Sequence, residues 1–367
     1  MARVFLSYSR SDEVFATRLR ERLQGEVPDV SLWQDRLRME GGIGWWQQIR
    51  EALDSVDFMV LVMSQASVLS ETVQKEWRYA RQQGVSVYPV KAAAFDFAAL
   101  PRWMSSTHFF DLEKEWPTFV QYLRSPVEAR RVPFMAPELP ANFVERKAEF
   151  AQLRASLLEP GRQNAVAITT ALHGAGGFGK TTLAAALCHD EDVITVFFDG
   201  VLWVTLGRNP NLQAAVTGLH NALTGGHAAF SDIQTAGVAL SEQLQDRTCL
   251  IVIDDVWDAS HLQPFLRGGK NCARLITTRM FPIAADFTKV NVDEMHGSEA
   301  ANLLARALPA AKAQIFEETA RRLGEWPLLL ELANATLRHR VARGDTVEGA
   351  LRYLNRALDR RGVTGFD

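Results

Sequence analysis

Along the first 124 residues, apolar positions switch between two periods. Continuous apolar runs of strand length stand at RVFLSYS (3–9), VSLWQD (30–35), DFMVLVMS (57–64) and VSVYPVKA (85–92). Between them, apolar residues recur every three or four positions, the spacing of amphipathic helices. DFMVLVMS has no polar face, as expected of a strand covered on both sides. The segment 12–24 opens with acids and puts Val14, Leu19 and Leu23 on one side of a helix. A GGIG break at 41–44 precedes a helical pattern over 45–56. Leu69, Val73, Trp77 and Ala80 predict an amphipathic helix over 70–84, ending near Gly84. THFFDL (107–112) reads as an edge strand and WPTFVQYLRS (116–125) as a closing helix. Strands alternating with helices predict a parallel, doubly wound sheet.

Pro126, Pro133, Pro137 and Pro140 fall within 125–143, a density that excludes a helix and predicts a semi-rigid linker. A second alternating unit runs from about 143 to 292, and the remainder carries four helical patterns, a small bundle. The chain shows no internal repeat.

Composition narrows the classes. The chain has 367 residues, 47% hydrophobic and 23% charged, which is globular. A net charge of −3 without long basic runs argues against a dedicated nucleic-acid surface. The apolar runs are too short to span a membrane. Three distant cysteines, Cys188, Cys249 and Cys272, predict a reducing, cytoplasmic setting, and MARVFLSYSRSDE is not a signal peptide.

The strongest motif is GAGGFGKTT (174–182), which fits G-x-x-x-x-G-K-[ST] through Gly174, Gly179, Lys180 and Thr181. An apolar strand pattern (164–173) precedes it and a helical pattern (181–190) follows. Glycines including Gly177 let backbone N–H groups turn inward as an anion nest, and the helix start at Thr181 and Thr182 adds its dipole. Lys180 meets the outer phosphates, and Thr181 offers a hydroxyl to Mg2+. CLIVIDDVW (249–257) supplies a second strand ending in Asp254, expected to hold the metal directly or through water, and Asp255, expected to orient water. ARLITTR (273–279) ends in Arg279, positioned to touch a γ-phosphate.

Glu76 poses a separate question. On the helical wheel Glu71, Lys75, Arg78 and Gln82 oppose the apolar stripe, whereas Glu76 lies roughly 60° from the stripe's centre. Two readings follow: a boundary glutamate whose head reaches water, or a carboxylate tuned by desolvation.

The second half resembles the NB-ARC module of plant resistance proteins and the apoptosome scaffold, a STAND-class switch ATPase. The residues that carry the likeness are FVER (143–146), the phosphate loop, DDVW (254–257) and TTR (277–279). The resemblance implies that Val144 and Arg146 pack on the adenine and sugar of ATP or ADP, with Pro327 against the adenine. It departs in the GLPL segment, which reads EWPLLL here, so Glu325 and Trp326 replace Gly-Leu. The family continues into a winged helix, and the chain ends at GVTGFD where that domain is expected, so a fragment or a minimal form is anticipated.

The first half resembles a TIR domain through FLSYSRSD (5–12), WQD (33–35), Trp46 with Ile49, and the S-x-x-[CV]-x-x-E pattern of Ser70, Val73 and Glu76. Glu76 stands at the position of the catalytic glutamate of TIR domains that cleave NAD+. One carboxylate suffices for that reaction, because the leaving nicotinamide is already cationic and the anion need only steady an oxocarbenium-like ribose. Ser9, Arg10, Trp46 and Ser70 are expected neighbours of NAD+, although Trp46 and Ile49 equally suit a core.

The expected architecture is α/β. A flavodoxin-like TIR domain spans 1–124, a linker 125–142, a P-loop domain 143–292 and a helical ARC-type subdomain 293–367, with winged helix and sensor absent. The implied function is an immune sensor-effector of antiphage type. A trigger that the sequence does not name starts ADP-to-ATP exchange, which drives homo-oligomerisation through the NB-ARC module and the TIR BB loop (35–46). Assembly then turns on NAD+ cleavage, to ADP-ribose or a cyclic isomer. The rival is a non-enzymatic TIR scaffold regulated by the same ATPase.

Overall fold

The computed structural model describes residues 2–34, 45–96, 100, 103–104, 107–124, 131–140, 143–159, 165–169, 176–309 and 313–362. Gly174 and the 35–44 part of the BB loop lie outside the described residues.

The first sheet takes β1 (Ala2–Ser7), β2 (Val30–Gln34), β3 (Phe58–Met63) and β4 (Ser86–Lys91) in the all-parallel order β2-β1-β3-β4. Its helices are α1 (Glu13–Glu26), α2 (Trp45–Ser55), α3 (Gln65–Leu69), α4 (Glu71–Gln83) and α5 (Trp116–Arg124). The period of two along β3 separates two cores. Phe58, Val60 and Val62 pack with α1 and α5, while Met59, Leu61 and Met63 pack with α2 and α4. Pro89 is tolerated because β4 is the last full strand, and the expected edge strand at 107–112 shrinks to a bridge between Val90 and Phe110.

Two expectations on the helices need correction. Val14 is 67% exposed, and Ala16 joins Leu19 and Leu23 on the buried face of α1. Leu69 does not belong to the stripe of α4: it ends the short helix α3 and is 66% exposed. Ser64 opens α3 with a capping box, and Ser70 closes it while capping α4, so two serines divide what a single period merged.

The second sheet runs β6 (Val201–Gly207), β7 (Leu250–Val256), β8 (Ala273–Thr278), β5 (Val166–Thr169), β9 (Thr288–Asn291), again all parallel. α6 (Lys147–Leu158), α7 (Lys180–Cys188) and α8 (Glu191–Val196) cover one face. α9 (Leu212–Thr224), α10 (Ile233–Leu244) and α11 (Gln263–Leu266) cover the other. α12 (Gly297–Ala305), α13 (Ala313–Arg322), α14 (Pro327–Ala342) and α15 (Val347–Arg361) form the expected bundle around Phe316, Leu330 and Leu337. Among the described residues no helix is long and apolar enough to cross a membrane.

Candidate functional sites

Glu76 stands on the second turn of α4, where the helix lies against the carboxyl end of β1. It is not at a wet margin: the residue is 2% exposed, and its Oε2 accepts a hydrogen bond from Ser7 Oγ at 2.5 Å. Ser7, the last residue of β1, is itself buried. Nearby, Ser64 Oγ donates to Asp12 Oδ2 at 2.7 Å, tying the end of β3 to the start of α1. Ser70 accepts from the Val73 N–H at 3.4 Å, so its hydroxyl serves as the cap of α4. Ser9 precedes a short 3-10 turn without capping it through its side chain, and Arg10 is exposed. Trp46 meets Tyr79 edge-on, with ring centroids 6.2 Å apart, and so faces along α4 toward the second domain.

The second site gathers at the carboxyl end of the second sheet, where α/β folds bind ligands. Gly177 and Gly179 take φ of +78° and +82°, left-handed backbone suited to glycine. Lys180 opens α7 and is 8% exposed. Burial first, and Arg279 second, push its ammonium down to about 8, against the pull of Asp255, Asp293 and Asp254. Asp254 is buried at the end of β7 and accepts three hydroxyls: Thr181 Oγ1 at 2.8 Å, Thr277 Oγ1 at 2.6 Å and Thr205 Oγ1 at 3.2 Å. Thr181 and Asp254 thus present hard oxygen donors side by side, the chemistry that suits Mg2+.

Asp255 takes a φ of +52°, a left-handed turn where the β7–β8 register shifts. Its N–H donates to Thr277 Oγ1 at 2.9 Å, and its carboxylate accepts the Trp257 indole at 3.1 Å. Arg279 Nε lies 3.5 Å from Asp255 Oδ1. The same guanidinium presses on Gly176, where a Cβ would sit 2.3 Å from Nη1.

A cleft beside the phosphate loop is lined by Val144, Arg146, Gly179, Thr182 and Pro327, five expected residues, together with Phe143, Phe178 and Met295. Arg146 also staples the backbone. Its Nη1 donates to the Phe178 and Asp293 carbonyls at 3.2 and 2.9 Å, and Nη2 donates to the Glu294 carbonyl at 2.7 Å and to Glu149. The substituted segment has its own task. Trp326 Nε1 donates to the Gly176 carbonyl at 2.9 Å, and its ring stacks on Phe178 with centroids 5.6 Å apart. The Leu328 N–H donates to the Gly177 carbonyl at 3.2 Å. Sequence reasoning missed Ser7, Thr205 and Phe178. Ser7 in FLSYSRSD, Phe178 in the phosphate-loop motif and Thr277 in TTR stood inside quoted motifs, and Thr205 did not.

The comparisons with known proteins fall on the same division. A family model described as TIR domain matches residues 4–123, and one described as NB-ARC domain matches 146–306. The chain therefore carries a TIR domain followed by an NB-ARC domain. Its relatives include regulatory protein AfsR of Streptomyces griseus, 29% identical over 215 residues, covering 56% of this chain and 22% of AfsR. Another is a putative disease resistance RPP13-like protein of Arabidopsis thaliana, 26% identical over 151 residues, covering 39% of this chain and 14% of that protein. The chain thus spans under a quarter of the length of these curated relatives. Similar solved structures include a Toll-related receptor TIR domain from Hydra magnipapillata, 13% identical, covering 33% of this chain and 98% of that one, with a TM-score of 0.30. A STAND protein with a tetratricopeptide repeat sensor from Pyrococcus horikoshii is 20% identical, covering 55% of this chain and 31% of that one, with a TM-score of 0.36.

Proposed function

We propose that this chain is a nucleotide-switched TIR effector: adenine nucleotide exchange at the phosphate loop governs self-assembly, and assembly lets Glu76 act on NAD+. The observation that carries the catalytic half is the buried Ser7–Glu76 hydrogen bond at the rim of the first sheet. A carboxylate withdrawn from water and bonded to the Ser7 hydroxyl is preorganised to face a developing ribose cation. Nicotinamide leaves with the electron pair of the broken C–N bond, and water completes the hydrolysis. In the second domain Lys180 binds the outer phosphates, and Arg279 reads the terminal one from beside Asp255. Thr181 and Asp254 would hold Mg2+, which supplies neutralising charge to the phosphates. Adenine sits in the cleft of Val144, Arg146 and Pro327. The domain limits in this reading are 1–124, 125–142, 143–292 and 293–367. The setting is cytoplasmic antiphage defence, with the BB loop (35–46) joining neighbouring TIR domains. Ser9, Arg10 and Ser70 stand at the NAD+ site in this reading, whereas Trp46 faces the second domain.

The burial of Glu76 also favours a second reading, a TIR scaffold in which Ser7 and Glu76 only hold strand to helix. An NAD+ cleavage assay on concentrated protein with ATP and Mg2+ decides. The expected result is nicotinamide release that Glu76→Gln abolishes, with Lys180→Ala losing nucleotide binding and retaining its TIR circular dichroism. Activity indifferent to Glu76→Gln overturns the catalytic assignment.

A further inference from the structure

The three cysteines are scattered along the sequence, and the second sheet brings two of them together. Cys249 immediately precedes β7, and Cys272, 23 positions on, immediately precedes β8. The parallel pairing of Leu250 with Ala273 sets the two cysteines opposite each other at the amino ends of neighbouring strands. The Ala273 N–H donates to the Cys249 carbonyl at 2.9 Å, which holds that register. Side chains alternate along a strand, and both thiols fall on the same face, in the core that contains Leu244 and Phe265. The Cys249 N–H donates to Cys272 Sγ at 3.5 Å. Neighbouring strands run about 4.8 Å apart, inside the roughly 4.4–6.8 Å between Cα atoms that a disulfide spans. Both cysteines are free thiols.

The two sulfurs are chemically unequal. The hydrogen bond with Cys272, and burial after it, push the Cys249 thiol up. The same hydrogen bond pulls the Cys272 thiol down, helped by the Cys249 N–H and the Arg274 guanidinium and opposed by burial and Asp199. Cys272 is therefore the better thiolate, and Cys249 is the partner that keeps its proton. Access favours Cys272 as well, since it is 8% exposed and Cys249 is fully buried. Gly269, in left-handed backbone with φ of +61°, passes so close that a Cβ there would sit 2.8 Å from Cys272 Sγ. Gly268 and Gly269 in turn line an open basin with Ser241, Gln245 and Lys270. Bare glycine backbone thus separates this sulfur from the basin, a barrier thin enough for a small oxidant.

We propose that Cys249 and Cys272 form a redox-modification site, a dithiol that hydrogen peroxide converts into a disulfide across the amino ends of β7 and β8. The Cys272 thiolate attacks one peroxide oxygen, the O–O bond breaks, and the departing hydroxide takes up a proton to become water. Cys272 is then a sulfenic acid. The Cys249 sulfur attacks the Cys272 sulfur, the S–O bond breaks, and the hydroxyl leaves as water with the proton of Cys249. Two thiols and one peroxide give one disulfide and two waters, the sulfurs supplying the two electrons that reduce the peroxide. β7 and β8 also deliver Asp254 and Thr277 to the phosphate site, so the bond clamps at one end the two strands that meet at the other. Neither thiol takes part in the NAD+ cleavage or the phosphate binding proposed above.

The test is peptide mapping of the native full chain after a timed pulse of hydrogen peroxide, with remaining thiols then alkylated by N-ethylmaleimide in denaturant. The expected product is a linked Cys249–Cys272 peptide, two hydrogens lighter than its separate parts and restored by dithiothreitol. Cys188 is the internal control: it is fully buried on α7, burial pushes its thiol up, and it should stay alkylatable. The linked protein should unfold at a higher temperature than the reduced one, because the bond closes a loop in the unfolded chain. Cys249→Ser should leave Cys272 as a sulfenic acid that dimedone captures. Cys272→Ser should slow oxidation at Cys249 about tenfold or more. The unaltered chain carries the decision, so a variant that fails to fold does not remove it. Full alkylation of both cysteines after the pulse overturns the proposal. So does Cys272 oxidised to the sulfinic acid beside a free Cys249, or a linked peptide that forms only in denaturant.

Discussion

At the scale of single residues, Lys180 makes a pH-dependent statement. Its folded value of about 8 lies below the ordinary 10.5 because the ammonium is buried beside Arg279. Between those values the unfolded chain binds the proton and the folded chain does not, so stability of the nucleotide-free protein rises with pH from 8 to 10.5. Below 8 both states carry the proton and the penalty is constant. Lys180→Met should flatten that rise, as measured by denaturant unfolding at stepped pH. Phosphate favours the charged form, so ADP affinity should fall as pH passes about 8, and titration calorimetry in two buffers should show proton uptake. Lys180, Thr181 and Asp254 were legible because their signal is local, a loop of fixed length and a strand ending in acid. Thr205 was not. It reaches Asp254 only because β6 pairs with β7 in a register that opposes the two residues. Ser7 was hidden for the same reason, since 69 residues separate it from the Glu76 it holds.

Elements decide what such residues can do. Ser70 was read as a neighbour of NAD+, and the structure gives its hydroxyl to the first turn of the Glu76 helix. Ser70→Ala should lower stability by about 1 kcal/mol in thermal unfolding, and Ser70→Gly by a few tenths. The phosphate loop and α14 form a similar joint. Gly177 is left-handed, and a Cβ there would lie 2.7 Å from Leu328 Cβ. Gly177→Ala should cost about 1–3 kcal/mol and weaken nucleotide binding, because the loop must shift away from Trp326 and Leu328. Fluorescence of bound mant-ADP would read that loss. In the first domain the period showed α1, α2, α4 and α5 but not α3. The break at Ser70 was not legible, since a cap changes no hydrophobic spacing and Leu69 continues the pattern of α4 by coincidence of phase.

For the whole molecule, separate cores imply separate transitions. Phe119 belongs to the TIR core and Phe316 to the helical bundle, both fully buried. Phe316→Ala should remove about 3–5 kcal/mol from the bundle and weaken nucleotide binding, because Met295 of the same cluster lines the cleft proposed for adenine. Amide exchange along Phe58–Met63 should stay as slow as before, since that strand packs in the other domain. Faster exchange there would mean that the two domains unfold as one unit.

The sequence by itself determined the order of strands and helices, the α/β class of both domains, the phosphate-loop motif and the helix that carries Glu76. Each of these rests on spacing along the chain, and backbone geometry converts spacing directly into faces and turns. Tertiary structure alone decided that Glu76 is buried against Ser7, that Thr205 and Thr277 share Asp254 with Thr181, that Trp326 grips the phosphate loop, and that Cys249 and Cys272 stand side by side. These depend on which strands become neighbours and how two cores lean together. Such pairings are set by the balance of burial over the whole chain, and no local pattern records them.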